Sequence, residues 1–175
     1  MIRRLVLALL LASGATIAAP AQGVPTEFQV KAAFLFNFVK YIEWSADAAS
    51  GPVTICVAGR NPFGPVLADL VRGEVVAGRP VETRVIVEAD PDCDVLYVAR
   101  EANAPAYLRV ARKLPTLIVG ETANFIASGG HVRFYVNDGY VRFEINPEGA
   151  EQAGVRISSR VLKLARIVDG EGRPR

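Results

Sequence analysis

Histidine and cysteine are scarce in this 175-residue chain, which has one His and two Cys. That scarcity excludes most metal and nucleophile chemistry. Two distant cysteines and one histidine, with no close-spaced ligand pair, make no zinc signature. His131 opens an expected strand with no nucleophile beside it, so it reads as structural rather than as a general acid or base. A Walker loop, a dinucleotide glycine fingerprint, a nucleophile elbow and a zincin motif are all missing. No enzyme, cofactor or metal site is expected. An excess of charge of one sign is also lacking, because 20 basic residues face 18 acidic ones. Arg3 and Arg4 fall in a leader expected to be removed, so the remainder is formally neutral. No basic run with interleaved aromatics is present, and nucleic acid is not an expected partner.

Long hydrophobic runs are missing except at the start. Leu5 to Leu11 is unbroken and apolar, Arg3 and Arg4 precede it, and Ala19-Pro20-Ala21 fits a small-x-small cleavage pattern. This is the layout of an export signal. Residues 1–21 are therefore expected to be a signal peptide, with one α/β domain over 22–175. The other reading is a membrane anchor, for which the stretch is short against the roughly 20 residues a bilayer needs. No Cys follows the run to carry a lipid.

Outside the cytoplasm an even cysteine count invites pairing. A Cys56–Cys93 bridge closes a loop whose chain-entropy contribution is about 4 kcal/mol. The alternative is two buried free thiols.

What the chain does have is 51% hydrophobic residues, arranged in short apolar runs and helical stripes. Thr26 and Gln29 form a capping box that opens a helix reaching about Ile42. Leu35, Phe38, Val39 and Ile42 line one face, and Phe34 and Phe36 widen it until the helix is apolar nearly all round. Lys31, Asn37 and Lys40 are its polar exceptions. Ser45 to Pro52 reads as a loop. Strands are expected at Val53 to Ala58, Glu74 to Val76, Val81 to Val87, Asp94 to Ala99 and Thr116 to Val119. Helices are expected after Asn61, at Pro105 to Lys113 and near Ala123 to Ala127. Asp138-Gly139 is the preferred pair of a type I′ hairpin joining Val132–Val136 to Tyr140–Ile145, with Phe134 opposite Phe143. A helical turn at Glu148 to Ala153 and an amphipathic helix over Ser158 to Ile167 follow, the latter turning Val161, Leu162, Leu164, Ala165 and Val168 inward. Strands alternating with helices imply a three-layer α/β domain. Its sheet is mixed, mostly parallel and flanked by helices, with a β-hairpin toward the C-terminus.

Two places suit a ligand. Arg60 lies between a strand's carboxyl end and the helix expected to be capped by Asn61 with Pro62 first, a position that favours anions. The plainer reading is a capped turn. Arg156, Ser158, Ser159 and Arg160 set two guanidinium groups around two hydroxyls, which suits a carboxylate or phosphate. Equally, a serine there simply caps the last helix.

QVKAAFLFNFVKYIEW, at Gln29 to Trp44, strongly resembles the opening of the YfiR family of bacterial periplasmic proteins. NPFG (Asn61 to Gly64), SGGHVRF (Ser128 to Phe134), VRFEIN (Val141 to Asn146) and GVRISSRVLKLARIV (Gly154 to Val168) match in order. The resemblance implies an α/β dimer without catalysis. It implies a periplasmic regulator that represses a membrane diguanylate cyclase of the YfiN type. It also implies that an outer-membrane YfiB-like protein sequesters the repressor, which raises cyclic-di-GMP synthesis and biofilm formation. Cys56 and Cys93 match the first of two disulfides in the well-known member, and the second has no counterpart. The alternative to a repressor is a periplasmic binder or sensor of a small anion or nucleotide-like ligand. The all-round apolar first helix points to a dimer or partner surface at Phe34, Phe36 and Tyr41, or else to full burial in the monomer.

Overall fold

A computed structural model describes residues 25–44 and 51–175, apart from the side chain of Trp44. The expected signal peptide and residues 45–50 of the loop expected over Ser45 to Pro52 lie outside the described residues. No helix among the described residues is long and apolar enough to cross a membrane.

The first helix, α1 (Glu27–Lys40), opens on the expected capping box. The Gln29 backbone N–H donates to Thr26 Oγ1 at 3.3 Å, and the Thr26 N–H donates to Gln29 Oε1 at 2.7 Å. The helix stops before Ile42, and Ile42–Trp44 is strand β1. The elements that follow are β2 (Val53–Ala58), α2 (Val66–Val71), β3 (Val75–Val76), β4 (Arg79–Ile86), β5 (Val95–Val98), α3 (Ala104–Ala111) and β6 (Leu117–Gly120). Then come β7 (Val132–Asn137), β8 (Tyr140–Ile145), α4 (Pro147–Gln152), β9 (Val155–Ile157), α5 (Ser159–Leu162) and β10 (Arg166–Ile167).

The main sheet has the order β10-β8-β7-β6-β5-β2-β4-β3. Its pairings are parallel except β7–β8 and β3–β4. The fold is therefore a mixed, mostly parallel sheet flanked by helices. The central strands β2, β5 and β6 are buried on both faces, as parallel strands under helices must be. Side-chain alternation sorts them into two cores. Ile55, Val57, Tyr97 and Val119 pack with α1 and α2 on one face. Cys56, Ala58, Leu96 and Ile118 pack with α3 and Phe125 on the other. Cys56 and Cys93 are disulfide-bonded with Cα atoms 5.7 Å apart, tying the middle of β2 to the residues just before its neighbour β5. Asp90 stands beside the two sulfurs, but a bridge has no thiolate to offer a metal.

The hairpin β7–β8 turns through Asp138 (φ 50°) and Gly139 (φ 77°), with Phe134 opposite Phe143. Positive φ at both positions is what a type I′ turn requires.

Three expected helices differ in the structure. Asn61 caps no helix: its Oδ1 accepts from the Phe63 N–H at 2.9 Å and its Nδ2 donates to the Gly64 carbonyl. This side chain closes a tight turn instead, and α2 starts at Val66 without a side-chain cap. Residues 122–129 form successive turns rather than a helix, because their hydrogen bonds mix spacings, Phe125 N to Thr122 O and Gly130 N to Phe125 O among them. The Phe125 ring is clamped there between two glycines. An added Cβ would stand 2.4 Å from it at Gly120 and 2.2 Å at Gly130. The last segment is helical only over α5. It then extends so that β10 pairs parallel with β8, Arg166 beside Glu144. The buried Glu144 carboxylate accepts from Arg133 and Arg166, each at 2.5 Å. Extension also turns Leu164 outward, 70% exposed, where a continuous helix was expected to bury it.

Candidate functional site

β1 pairs antiparallel with β9, Ile42 opposite Ile157. This lays the carboxyl half of α1 beside α5 and the segment after it. Phe34, Asn37, Phe38 and Tyr41, spaced i, i+3, i+4 and i+7, fall on one stripe of the helix. With Phe143, Arg160, Val161 and Leu164 they line a groove of about 240 Å³. Its floor is an aromatic cluster. The ring centroids of Phe34 and Phe143 are 5.0 Å apart, and those of Phe38 and Phe143 are 5.3 Å apart in an edge-on arrangement, a geometry that adds to simple burial. Tyr41 and Leu164 form exposed lips, and the Arg160 guanidinium sits 5.9 Å from the Tyr41 ring centroid, within cation–π range.

Two of the three aromatic residues expected at a partner surface, Phe34 and Tyr41, thus meet in one groove. Phe36 does not join them. It is 5% exposed, and the Lys40 ammonium lies 3.9 Å from its ring centroid. Its place two residues from Phe34 turns it away from the groove stripe and into the main core.

The expected ligand residues are only partly gathered. Arg160 lines the groove. Ser158 caps α5, its Oγ accepting from the Arg160 N–H at 3.3 Å, and Ser159 is the exposed first residue of that helix. Arg156 is exposed on β9 opposite Glu43, 3.9 Å away. Arg60 lies beyond the carboxyl end of β2, exposed at the start of the Asn61 turn.

Sequence reasoning missed a buried ionic cluster beneath the other half of α1. Lys31 is 1% exposed. Its ammonium donates to Glu27 Oε1 at 2.5 Å and to Glu121 Oε2 at 2.6 Å. Tyr97 donates its phenol O–H to Glu121 Oε1, and Arg100 stands 3.5 Å from Glu121 Oε2. Burial works to raise the Glu121 pKa. The hydrogen bonds from Lys31 and Tyr97, with the charges of Lys31 and Arg100, outweigh it and hold the carboxyl below its ordinary range. Burial, reinforced by the Glu121 hydrogen bond and charge, pushes the Tyr97 phenol up. The cluster pins α1 across the carboxyl ends of β5 and β6 and fixes where the groove stripe faces. Its one sequence signal was Lys31 itself, a cation on an otherwise apolar helix face.

His131 is also buried. Its Nδ1 accepts the Ile118 N–H at 3.2 Å. Burial lowers its pKa to about 4, against a small raising effect of the Thr116 backbone. The ring is therefore neutral near pH 7 and supplies no charge.

No curated protein matches the chain. The model of the YfiR/HmsC-like family matches residues 28–166, a span from the first turn of α1 through the groove to β10. The chain belongs to the YfiR/HmsC-like family, whose members are non-catalytic regulatory or sensor domains.

Proposed function

We propose that this protein is exported to the periplasm, and there binds and represses a membrane-anchored diguanylate cyclase of the YfiN type. Repression lowers cyclic-di-GMP signalling and biofilm formation, and a YfiB-like outer-membrane protein relieves it. The observation that carries the docking half of this reading is the groove of Phe34, Tyr41, Arg160 and Leu164, with an aromatic floor and exposed apolar lips. Covering a large apolar side chain on docking contributes about 1.5–3 kcal/mol. Tyr41 and Leu164 together are enough to decide affinity. Family membership supports a regulatory role, and the cyclase as partner is what the resemblance to YfiR implies. A homodimer is part of the same reading.

The test is cyclic-di-GMP content in cells lacking the gene and complemented with wild type, Leu164→Asp or Tyr41→Ala. Wild type is expected to lower the messenger, and both variants to leave it high while accumulating normally in the periplasmic fraction. Full repression by Leu164→Asp removes the groove from the mechanism. No change on deletion removes the cyclase. Light scattering that finds only monomer at high concentration removes the dimer.

A second reading has one observation in its favour, since Arg160 faces into the groove. In it, a small anion or nucleotide-like ligand is gripped by Arg160 with Arg156, Ser158 and Ser159. Thermal shifts with nucleotides that disappear on Arg160→Ala would support it, and their absence excludes it.

A further inference from the structure

A second cleft, of about 260 Å³, opens on the other side of the fold between the 122–130 turns, α4 and the chain after β10. Its lining includes Arg112, His131, Asn146 and Gln152, and no acidic residue. Four lining positions are glycine, Gly129, Gly130, Gly149 and Gly170, so the walls there are largely backbone. The Arg112 Nε donates to the Leu108 carbonyl at 3.2 Å. Its terminal nitrogens have no carboxylate within 4.0 Å among the described residues. Gly129 leaves room for the guanidinium, since a Cβ there would stand 2.9 Å from its Nη1.

The independent sign of a ligand is Asn146, only 7% exposed. Its Oδ1 is used, accepting from the Gly149 N–H at 3.1 Å. Its Nδ2 donates to nothing among the described residues. That nitrogen points past Gly149 and toward Gly170, 3.8 Å from where a Gly170 Cβ would be, both being wall residues of the cleft. A buried donor left without a partner costs about 1–3 kcal/mol, and an acceptor in the cleft removes that cost. His131 contributes floor but no charge, being neutral.

We infer that this cleft binds a small carboxylate, its two oxygens shared between the Arg112 fork and the Asn146 amide. One guanidinium balances one negative charge, and its planar fork fits a carboxylate in a bidentate way. Phosphate, the other common oxyanion, carries more charge than the cleft offsets. This site is separate from the groove and stands whether or not the groove binds a cyclase.

The experiment is a titration of the purified protein with acetate, with propionate and with inorganic phosphate, each against chloride at matched ionic strength. It is read by thermal shift and by the Asn146 side-chain amide resonance. Acetate or propionate is expected to raise Tm and shift that resonance. Arg112→Gln, at an exposed position, and Gln152→Glu, which adds a repelling charge, are each expected to weaken binding at least tenfold with an unchanged circular dichroism spectrum. An Asn146 resonance unmoved by either carboxylate overturns the proposal, as does equal affinity in Arg112→Gln. Phosphate binding tenfold tighter than both carboxylates overturns the assignment of ligand class.

Discussion

His131 makes the stability of this protein depend on pH in a calculable way. In the unfolded chain its imidazole titrates at the ordinary value of 6.5, whereas burial holds it at about 4 in the folded protein. Between these values the unfolded state binds a proton that the folded state does not, so stability falls as pH falls. From about pH 7.5 to about pH 5 the expected loss from this group is about 2 kcal/mol, approaching about 3 kcal/mol below pH 4. Urea unfolding at the two pH values measures it. The control is His131→Asn, whose carbonyl oxygen replaces Nδ1 as acceptor for the Ile118 N–H and does not titrate in this range. The variant is expected to lose stability at both pH values through the volume removed, yet to show a pH difference smaller than wild type by about 2 kcal/mol. Carboxylates titrate in both proteins and cancel in the comparison. Equal pH differences in the two proteins would refute the claim that the folded protein keeps His131 neutral.

Glu121→Gln is expected to cost on the order of 3 kcal/mol in urea unfolding, because it leaves the Lys31 ammonium buried with only Glu27 as a carboxylate partner; a loss under about 1 kcal/mol would mean that Lys31 finds water. Ala77→Asn is expected to stabilise by roughly 0.5–1 kcal/mol, since Ala77 holds φ at 50° in the turn before Gly78 and Asn tolerates that region better; a lower Tm would contradict this. Replacing Asp138-Gly139 with Val-Val is expected to depress Tm by several degrees, because neither valine adopts positive φ readily; an unchanged Tm would argue against the hairpin. Cys56→Ser is expected to cost up to about 4 kcal/mol, and a free-thiol assay that finds two thiols in the native exported protein would remove the premise.

Local signals in the sequence were legible where the interaction is itself local. The Thr26 capping box and the Asp138-Gly139 turn each need residues only a few positions apart, and both stand in the structure. Short continuous apolar runs marked the central strands for the same reason. The helix expected through Ile167 failed because its competitor is distant: β10 is drawn out by pairing with β8 and by the Glu144 carboxylate. Leu164 went from core to groove lip with that change. The helix near Ala123 failed because Phe125 is clamped between two glycines ten positions apart, a contact no periodicity shows. At the groove, Phe34 and Tyr41 were separable from Phe36 by helical spacing alone, but their outer wall comes from residues more than a hundred positions away. Tyr97 and Glu121 carry no motif that ties them to Lys31. Only the fold brings the three together.

The pairing of β1 with β9 also has a temporal meaning. One wall of the groove is made early in the chain and the other near its end, so no nascent molecule that lacks its last residues has a groove at all. Closing so long a loop costs entropy that the packing of the intervening sheet helps to offset. A partner docking in this groove, as proposed, engages only molecules in which β1 has met β9, and an incompletely folded copy is invisible to it.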